Sequence, residues 1–535
     1  MLKDKSIKNY LPEILTLCLY MILMSIIMYF HEPWYDEAQA WLIARDASLK
    51  EILFELPHYE GHPPIWHLIL LPFAKLGAPY ELSLKFVSLT FSSIAMGLFI
   101  FRSPFERKIK LLIPFTYFFF YQYGVISRPY CVMMLGFVLA AMFYKDKDQK
   151  PFRFIIALAI ICSSSAYGII LSCGICIVWL IEMFRISFSL NDIKIFMKQR
   201  KFKGLCLLFL YNIALVISIL PSKDTSAINI GISSNKCLRG LIYYLFILPG
   251  DSTYLDICNY DNTLINLDIY SLCGILGSSI IIIGIVHICK INKKLKLMLV
   301  PYIMMTVFCS YVYFCTHHIG IITLFFMFIL WCCKKERKEC NYKGKLIGRI
   351  IKKESDIILL KMCPKVILNV VIFISISYSV IASINEIRFP YGEGREISNF
   401  IKNNNLTDYK IMGSWNVYKD KNTSELRIDT SVINNLAVLP YFKNNFFYNF
   451  NQDMYNQGYI LHKIGRDEEN FKLLEREDKP DIIIGYPQFK YMPEANYKDN
   501  DYVCIYEAKQ SYIWKTQVIQ YETPIYIRKE LKEIY

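Results

Sequence analysis

Long apolar runs separated by short basic stretches constrain this chain more than any other feature. Leu11–Phe30, Leu82–Phe101, Gly204–Leu220, Ser271–Cys289, Leu297–Phe314 and Lys365–Ile381 are the clearest of them. Apolar stretches of roughly 17–25 residues with few charges are long enough to cross a bilayer as helices. Composition agrees: 54% of the 535 residues are hydrophobic and 20% charged, with a mean hydropathy of +0.30, against about 25% charged in a soluble globule. A disordered, collagen-like or disulfide-scaffold chain is excluded. The net charge of +14 would invite a nucleic-acid reading if it were evenly spread. It is not. From Asn385 onward 20 Lys/Arg face 22 Asp/Glu, so the excess lies wholly in residues 1–384.

The placement of that excess predicts a topology. Six polar stretches (1–10, 102–110, 145–153, 185–203, 290–296 and 334–361) together hold 31 Lys/Arg against 9 Asp/Glu. Basic loops mark the cytoplasmic side. The stretches 31–81 and 222–270 are acidic and fall on the outer side. Consistent alternation requires that Pro63–Leu76 not be a full crossing, and at 14 residues it is also short for one. It is read as an interfacial or re-entrant helix inside one large outer loop, with Trp41–Leu56 as a second interfacial helix. The crossings are then about eleven: 11–30, 82–101, 111–126, 129–144, a pair within 154–184, 204–221, 271–289, 297–314, 319–333 and 365–383. The pair is the open point, since Ser163-Ser164-Ser165 could divide two short helices or interrupt one long tilted one. The first run has a basic flank and no small-residue cleavage site after it, and reads as an anchor. An odd total with the N-terminus inside places residues 385–535 outside.

The fold class predicted is therefore mainly α: a polytopic membrane helix bundle over 1–384 and a smaller extracytoplasmic α/β domain over 385–535. In the latter, Ile397–Asn403 reads as helix and Tyr409–Gly413, Ile482–Gly485 and Tyr502–Tyr506 as short strands. Cys237 and Cys258 could pair in the outer loop 222–270.

Chemistry-bearing residues concentrate in the loop 31–81. It opens Glu32-Pro-Trp-Tyr-Asp36-Glu37 directly after the first crossing and continues to Glu60-Gly61-His62-Pro63-Pro64. Carboxylates at a membrane boundary can simply hold a loop in water. Beside apolar surface they can also gain proton affinity and serve as general bases. Cations away from the basic rim add candidates. Lys85 stands at the outer end of the second crossing, Arg128 in Ser127-Arg-Pro-Tyr130 between the third and fourth, and His317-His318 between the ninth and tenth. Ionisable groups at membrane depth are functional candidates, with snorkelling to headgroups the alternative for Lys85 and Arg128 and a structural turn the alternative for the histidines. All lie on the same side as Asp36. The run Tyr117–Tyr123, six aromatics in seven residues, could line a lipid groove or form an interfacial belt.

Asp-Glu after the first membrane helix, His-Pro-Pro about 25 residues on and then a second helix resembles the first outer loop of GT-C glycosyltransferases. The likeness is greater to the branch of protein O-mannosyltransferases, aminoarabinose lipid A transferases and RgtA/B/C/D-like enzymes. It covers the membrane domain, most clearly residues 11–145. The resemblance implies an active site on the outer face that uses a sugar carried on a polyprenyl phosphate. By it, Asp36 is the base or acceptor-orienting group, Glu37 its partner, and Glu60 and His62 lie near the lipid phosphate. Where aminoarabinose transferases carry a lysine before proline, this chain has Gly61-His62, which leaves the phosphate ligand open.

Together these parts predict an inverting hexosyl- or pentosyltransferase. The catalytic residues are Asp36 and Glu37; Glu60, His62, Lys85, Arg128, Tyr130, His317 and His318 bind donor phosphate or substrate. No cofactor is required, though a divalent cation could sit near Asp36 and Glu37. Ile-, Lys- and Asn-rich usage fits an AT-rich bacterial genome, which would make the lipid undecaprenyl phosphate. The acceptor would be a glycan, lipid or protein, and nucleic acid is not a partner. The alternative is a multi-pass transporter or flippase of a lipid-linked glycan, which would carry intramembrane carboxylates and helices broken near mid-depth in two related halves. Glu13 and Glu182 lie near inner helix ends, and no half-to-half similarity is visible.

Overall fold

A computed structural model describes residues 7–184, 197–225, 241, 244–245, 248–251, 269–312, 314, 316–334, 354–413, 416–419, 426–429, 434–447, 458–461, 480–485 and 501–532. Most of the loop 222–270, with Cys237 and Cys258, lies outside the described residues, as does most of the basic stretch 334–361.

The chain is mainly helical, with a small sheet near its C-terminus. Among the described residues, five helices are long and apolar enough to cross a membrane: α1 (Leu11–Phe30), α6 (Tyr80–Arg102), α10 (Ala166–Phe184), α11 (Arg200–Ile219) and the Val366–Arg388 part of α15 (Glu354–Arg388). Between α1 and α6 the first loop forms α2 (Tyr35–Asp46), α3 (Leu49–Phe54), α4 (Pro57–Glu60) and α5 (Ile65–Lys75). The remaining α-helices among the described residues up to 384 are α7 (Arg107–Leu112), α8 (Tyr130–Phe143), α9 (Pro151–Ser164), α12 (Ile269–Ile291), α13 (Leu295–Tyr311) and α14 (Gly320–Lys334), with a single helical turn at Leu248–Asp251.

Burial sorts these helices by position. On α1, Tyr20, Met24, Ile27 and Met28 are buried while Leu15, Leu19 and Ile22 are exposed, an apolar outer face that suits lipid. α8 is buried almost all round and stands in the middle, packed by α6, α9 and α14. The doubtful stretch 154–184 is two helices, α9 and α10, which meet at an extended Ser165. They approach closely at Gly168, where a Cβ would stand 2.0 Å from the carbonyl oxygen of Ile161. Small residues permit such backbone contact between membrane helices.

The expected crossing 111–126 is not one regular helix. α7 gives way to a 3-10 turn at Ile113–Phe115 and then a π-helix, Phe118–Val125. The aromatic run forms neither an exposed groove nor a belt, because Tyr117, Phe118, Tyr121 and Tyr123 are all buried in the main apolar core. Widening to a π-turn presents bulky rings on every side, and α1, α6, α14 and α15 each take some of them.

The first loop departs most from expectation. Trp41–Leu56 is not one interfacial helix but parts of α2 and α3. Its Leu42, Ile43, Ala47, Ile52 and Leu56 are buried in a core with Ile397, Ile401, Ile411, Ile482, Ile484, Ile525 and Ile527 of the C-terminal region. The apolar stripe that suggested a membrane surface is covered by protein. α5 is the short helix expected within Pro63–Leu76 and packs its Trp66, Leu70 and Ala74 against α2 and α6.

The C-terminal region is α/β, as predicted. α15 runs on to Arg388, past the boundary expected at 384, and α16 (Gly394–Asn403) follows. The strands are β1 (Ile411–Gly413), β2 (Asn416–Lys419), β3 (Leu426–Asp429), β4 (Ile482–Ile484), β5 (Tyr502–Trp514) and β6 (Gln517–Arg528). One sheet has the order β1-β4-β6-β5, parallel only between β1 and β4, and β2 pairs with β3 separately. The expected strand at 502–506 is the beginning of a long hairpin.

Candidate functional site

The site is built where α1 ends. His31 caps α1, its backbone N–H bonding to the Ile27 carbonyl, and its buried ring is held between two carboxylates. Nε2 lies 3.0 Å from Glu37 and Nδ1 3.0 Å from Glu386 of α15. Burial alone would drive His31 neutral, but the two carboxylates overcome it and push its pKa up to about 10. The Tyr121 hydroxyl donates to the second Glu386 oxygen at 2.6 Å. Glu37 also accepts from the Ser127 backbone N–H at 2.7 Å and from that of Trp34 at 3.2 Å. Glu37, expected to share the catalysis with Asp36, therefore spends both oxygens on bracing α1, α2 and the loop before α8.

One residue earlier, Asp36 faces a different partner. Its Oδ2 lies 2.6 Å from Arg128 Nη1, and the pair is largely shielded from solvent. Burial raises the proton affinity of Asp36, Arg128 lowers it, and nearby Glu37 raises it again, leaving it above the ordinary aspartate value. The Arg128 guanidinium sits between two rings, 5.7 Å from the Trp34 centroid and 5.5 Å from that of Tyr130.

Glu60, at the end of α4, is pinned by Gln39 of α2 at 2.8 Å. Its pKa is pushed up to about 7, chiefly by burial, with the Asp36 charge adding to the rise. His62 is held neutral, its pKa lowered to about 3 by burial, Arg128 and His67. His317 and His318 are likewise held neutral by burial, by Arg128 and by His62. Tyr130 stacks on Tyr123 at 4.7 Å and lies 6.0 Å from each of these two histidine rings, while the Tyr123 hydroxyl donates to the His317 carbonyl. Asp36, Glu60, His62, Arg128, Tyr130, His317 and His318 thus come from four separate stretches to one neighbourhood.

Lys85 does not join them. It pairs with Glu81 at 2.5 Å, and Glu81 is gripped again by Arg395 of α16 and by the Tyr441 hydroxyl. The Arg395 backbone N–H bonds to Glu32, whose pKa burial pushes up to about 8 despite the arginine. This second network ties the first loop and α6 to the C-terminal region.

Sequence reasoning missed Trp34, Gln39 and Glu386. Trp34 lies inside the opening motif yet carried no signal of its own. It supplies a ring beside Arg128 and a buried indole N–H with no hydrogen-bond partner among the described residues. His62 Nδ1 is also buried and has none among them. A guanidinium flanked by buried polar nitrogens with hydrogen-bonding capacity to spare favours an anionic oxygen ligand, and a carboxylate of raised proton affinity beside it can take up a proton. Among the described residues, no group of three or more His, Cys, Asp or Glu is arranged to hold a metal ion. Compared with family models, curated proteins and solved structures, the chain matches none.

Proposed function

We propose that this chain is a multi-pass membrane glycosyltransferase that moves a sugar from a polyprenyl-phosphate donor to an acceptor hydroxyl on the outer face. The observation that carries the reading is the convergence around the Asp36–Arg128 pair, 2.6 Å apart, of residues from loops that the charge pattern assigns to one side. In this reading about eleven segments cross the bilayer, α5 does not, and residues 385–535 lie outside. Undecaprenyl phosphate is the carrier if the source is bacterial. The acceptor is a glycan, lipid or protein.

The acceptor oxygen attacks the anomeric carbon as its proton passes to the Asp36 carboxylate. The bond from that carbon to the phosphate oxygen breaks, and the electron pair leaves with the polyprenyl phosphate. Arg128 stabilises the growing phosphate charge, with Trp34 and His62 as further donors. Glu60, with a pKa of about 7, is suited to relay a proton near neutrality. One displacement inverts the anomeric centre, by analogy with inverting hydrolases. The acids a transporter would need are otherwise engaged: Glu182 pairs with Lys147 at 3.1 Å and Glu13 with Arg107 at 2.9 Å.

The test is sugar transfer in proteoliposomes from a panel of polyprenyl-phosphate sugars, comparing wild type with Asp36→Asn. Loss of a general base slows turnover by ~10²–10⁴. Unchanged turnover at equal protein level would sink the assignment, and movement of donor across the bilayer without transfer would support the flippase.

A further inference from the structure

The β5–β6 hairpin belongs to two cores at once. Near its base, Ala508 on β5 and Ile525 and Ile527 on β6 pack with Ile482 and Ile484 in the C-terminal core. At its tip, Ile513 and Trp514 are buried with Tyr20, Tyr117 and Phe118 in the core of the membrane helices. The Trp514 ring lies 5.7 Å from Tyr117 and 6.1 Å from Phe118. Between base and tip, β5 runs along α15. The Ser511 backbone N–H donates to the Pro390 carbonyl at 2.8 Å, and the Lys515 ammonium sits 5.9 Å from the Tyr378 ring. From Arg388 back to Tyr378 the helix rises about 15 Å at ~1.5 Å per residue. Both residues fall within the apolar span Val366–Arg388. The tip turn, at Lys515 with φ 52°, is therefore well inside the segment that crosses the membrane.

On the other strand Val518 and Ile519 are each 45% exposed, and on α15 Phe373 is 72% exposed. Exposed Val and Ile at this height continue the apolar belt of the membrane-length helices. We propose that the hairpin tip, residues 513–519, is immersed in the outer leaflet, with Ile513 and Trp514 against the helices and Val518 and Ile519 against lipid acyl chains. The leaflet rests on the topology above; the immersion rests on the helix contacts and not on the proposed chemistry. An open ribbon edge is costly in hydrocarbon, which restricts insertion to a short tip. Lys515 is accommodated by aromatic faces, lying over Trp514 as well as Tyr378. Tyr512, just above the tip, lies 6.0 Å from Trp34, so the inserted ribbon also walls the Arg128 site.

The test places the photoreactive amino acid benzoylphenylalanine at position 519, at position 373 on α15 and at position 509, an exposed site nearer the hairpin base. The full-length protein is irradiated in phosphatidylglycerol nanodiscs, and lipid adducts are counted by mass spectrometry. Adducts at 519 and 373 but not at 509 are expected. Adducts at 373 without any at 519 overturn the immersion alone, and adducts at neither overturn it together with the membrane reading. Adducts at 509 equal to those at 519 overturn the assignment of insertion to the tip.

Discussion

Replacing His31 with Leu removes the cation between Glu37 and Glu386 and leaves two carboxylates facing each other where all three side chains are fully buried. Removing one partner of such a pair costs ~3–5 kcal/mol, because the remaining charge stays out of water uncompensated. The pKa sets the same scale. From the ordinary 6.5 to about 10, at ~1.36 kcal/mol per pH unit, the protonated ring contributes at most ~5 kcal/mol. A histidine whose folded pKa is raised stabilises fully below pH 6.5 and loses that contribution as pH climbs to about 10. The stability gap between wild type and His31→Leu is therefore largest in mild acid, about half as large near pH 8 and closed above 10. Unfolding of the nanodisc-embedded protein in a graded denaturing detergent, followed by tryptophan fluorescence at several pH values, measures it. A triple variant with Glu37→Gln and Glu386→Gln added should regain much of the loss, since no bare charge remains. A gap below ~1 kcal/mol, or one that does not change with pH, would refute the claim that His31 is a buried imidazolium brace.

Other predictions follow from the same contacts. Lys85→Met leaves donor affinity unchanged and costs ~1 kcal/mol of stability, because Lys85 is spent on Glu81; weaker donor binding in a direct assay would return it to the site. Glu60 and Glu32 bind protons more tightly folded than unfolded, with pKa values of about 7 and about 8 against 4.5. Their ionisation thus lowers stability as pH rises between 4.5 and 8, and Glu60→Gln with Glu32→Gln flattens that slope in the same unfolding assay. Gly168→Ala forces a Cβ to within 2.0 Å of the Ile161 carbonyl oxygen and should cost ~1–3 kcal/mol or prevent accumulation of folded protein. With Cys237, Cys258 and Cys315 replaced by Ser, exposed Cys504 reacts in intact cells with an impermeant maleimide, and the label disappears when Cys504→Ser is added; protection until permeabilisation would reverse the topology.

Much of the helical layout was legible because length and apolarity are local properties. Leu11–Phe30 could be read to the residue, and 154–184 needed only the choice between one helix and two. The π-helix at Phe118–Val125 was not legible, since six aromatics in seven fit any apolar environment until neighbours fix where each ring goes. β6 was also missed. Its alternation is interrupted by Gln520, Glu522 and Pro524, and its pairing is set by β5 and β4, not by its own pattern.

The candidate site divides in the same way. Sequence alone determined which residue types lie in which loop and, through the charge bias, on which predicted side. Arg128 and the His317-His318 pair were named from that, and Asp36, Glu60 and His62 from their motif and its resemblance to GT-C enzymes. Only the tertiary structure separated Glu37 from Asp36, one residue apart on α2 yet pointed at His31 and Arg128 respectively. Only it removed Lys85 to an ion-pair network with Arg395, more than three hundred residues away in sequence. The same holds for the first loop, whose apolar stripe fits a bilayer surface as well as a protein core. A stripe records that a helix face leaves water; what covers it is settled by packing against residues the local sequence does not contain.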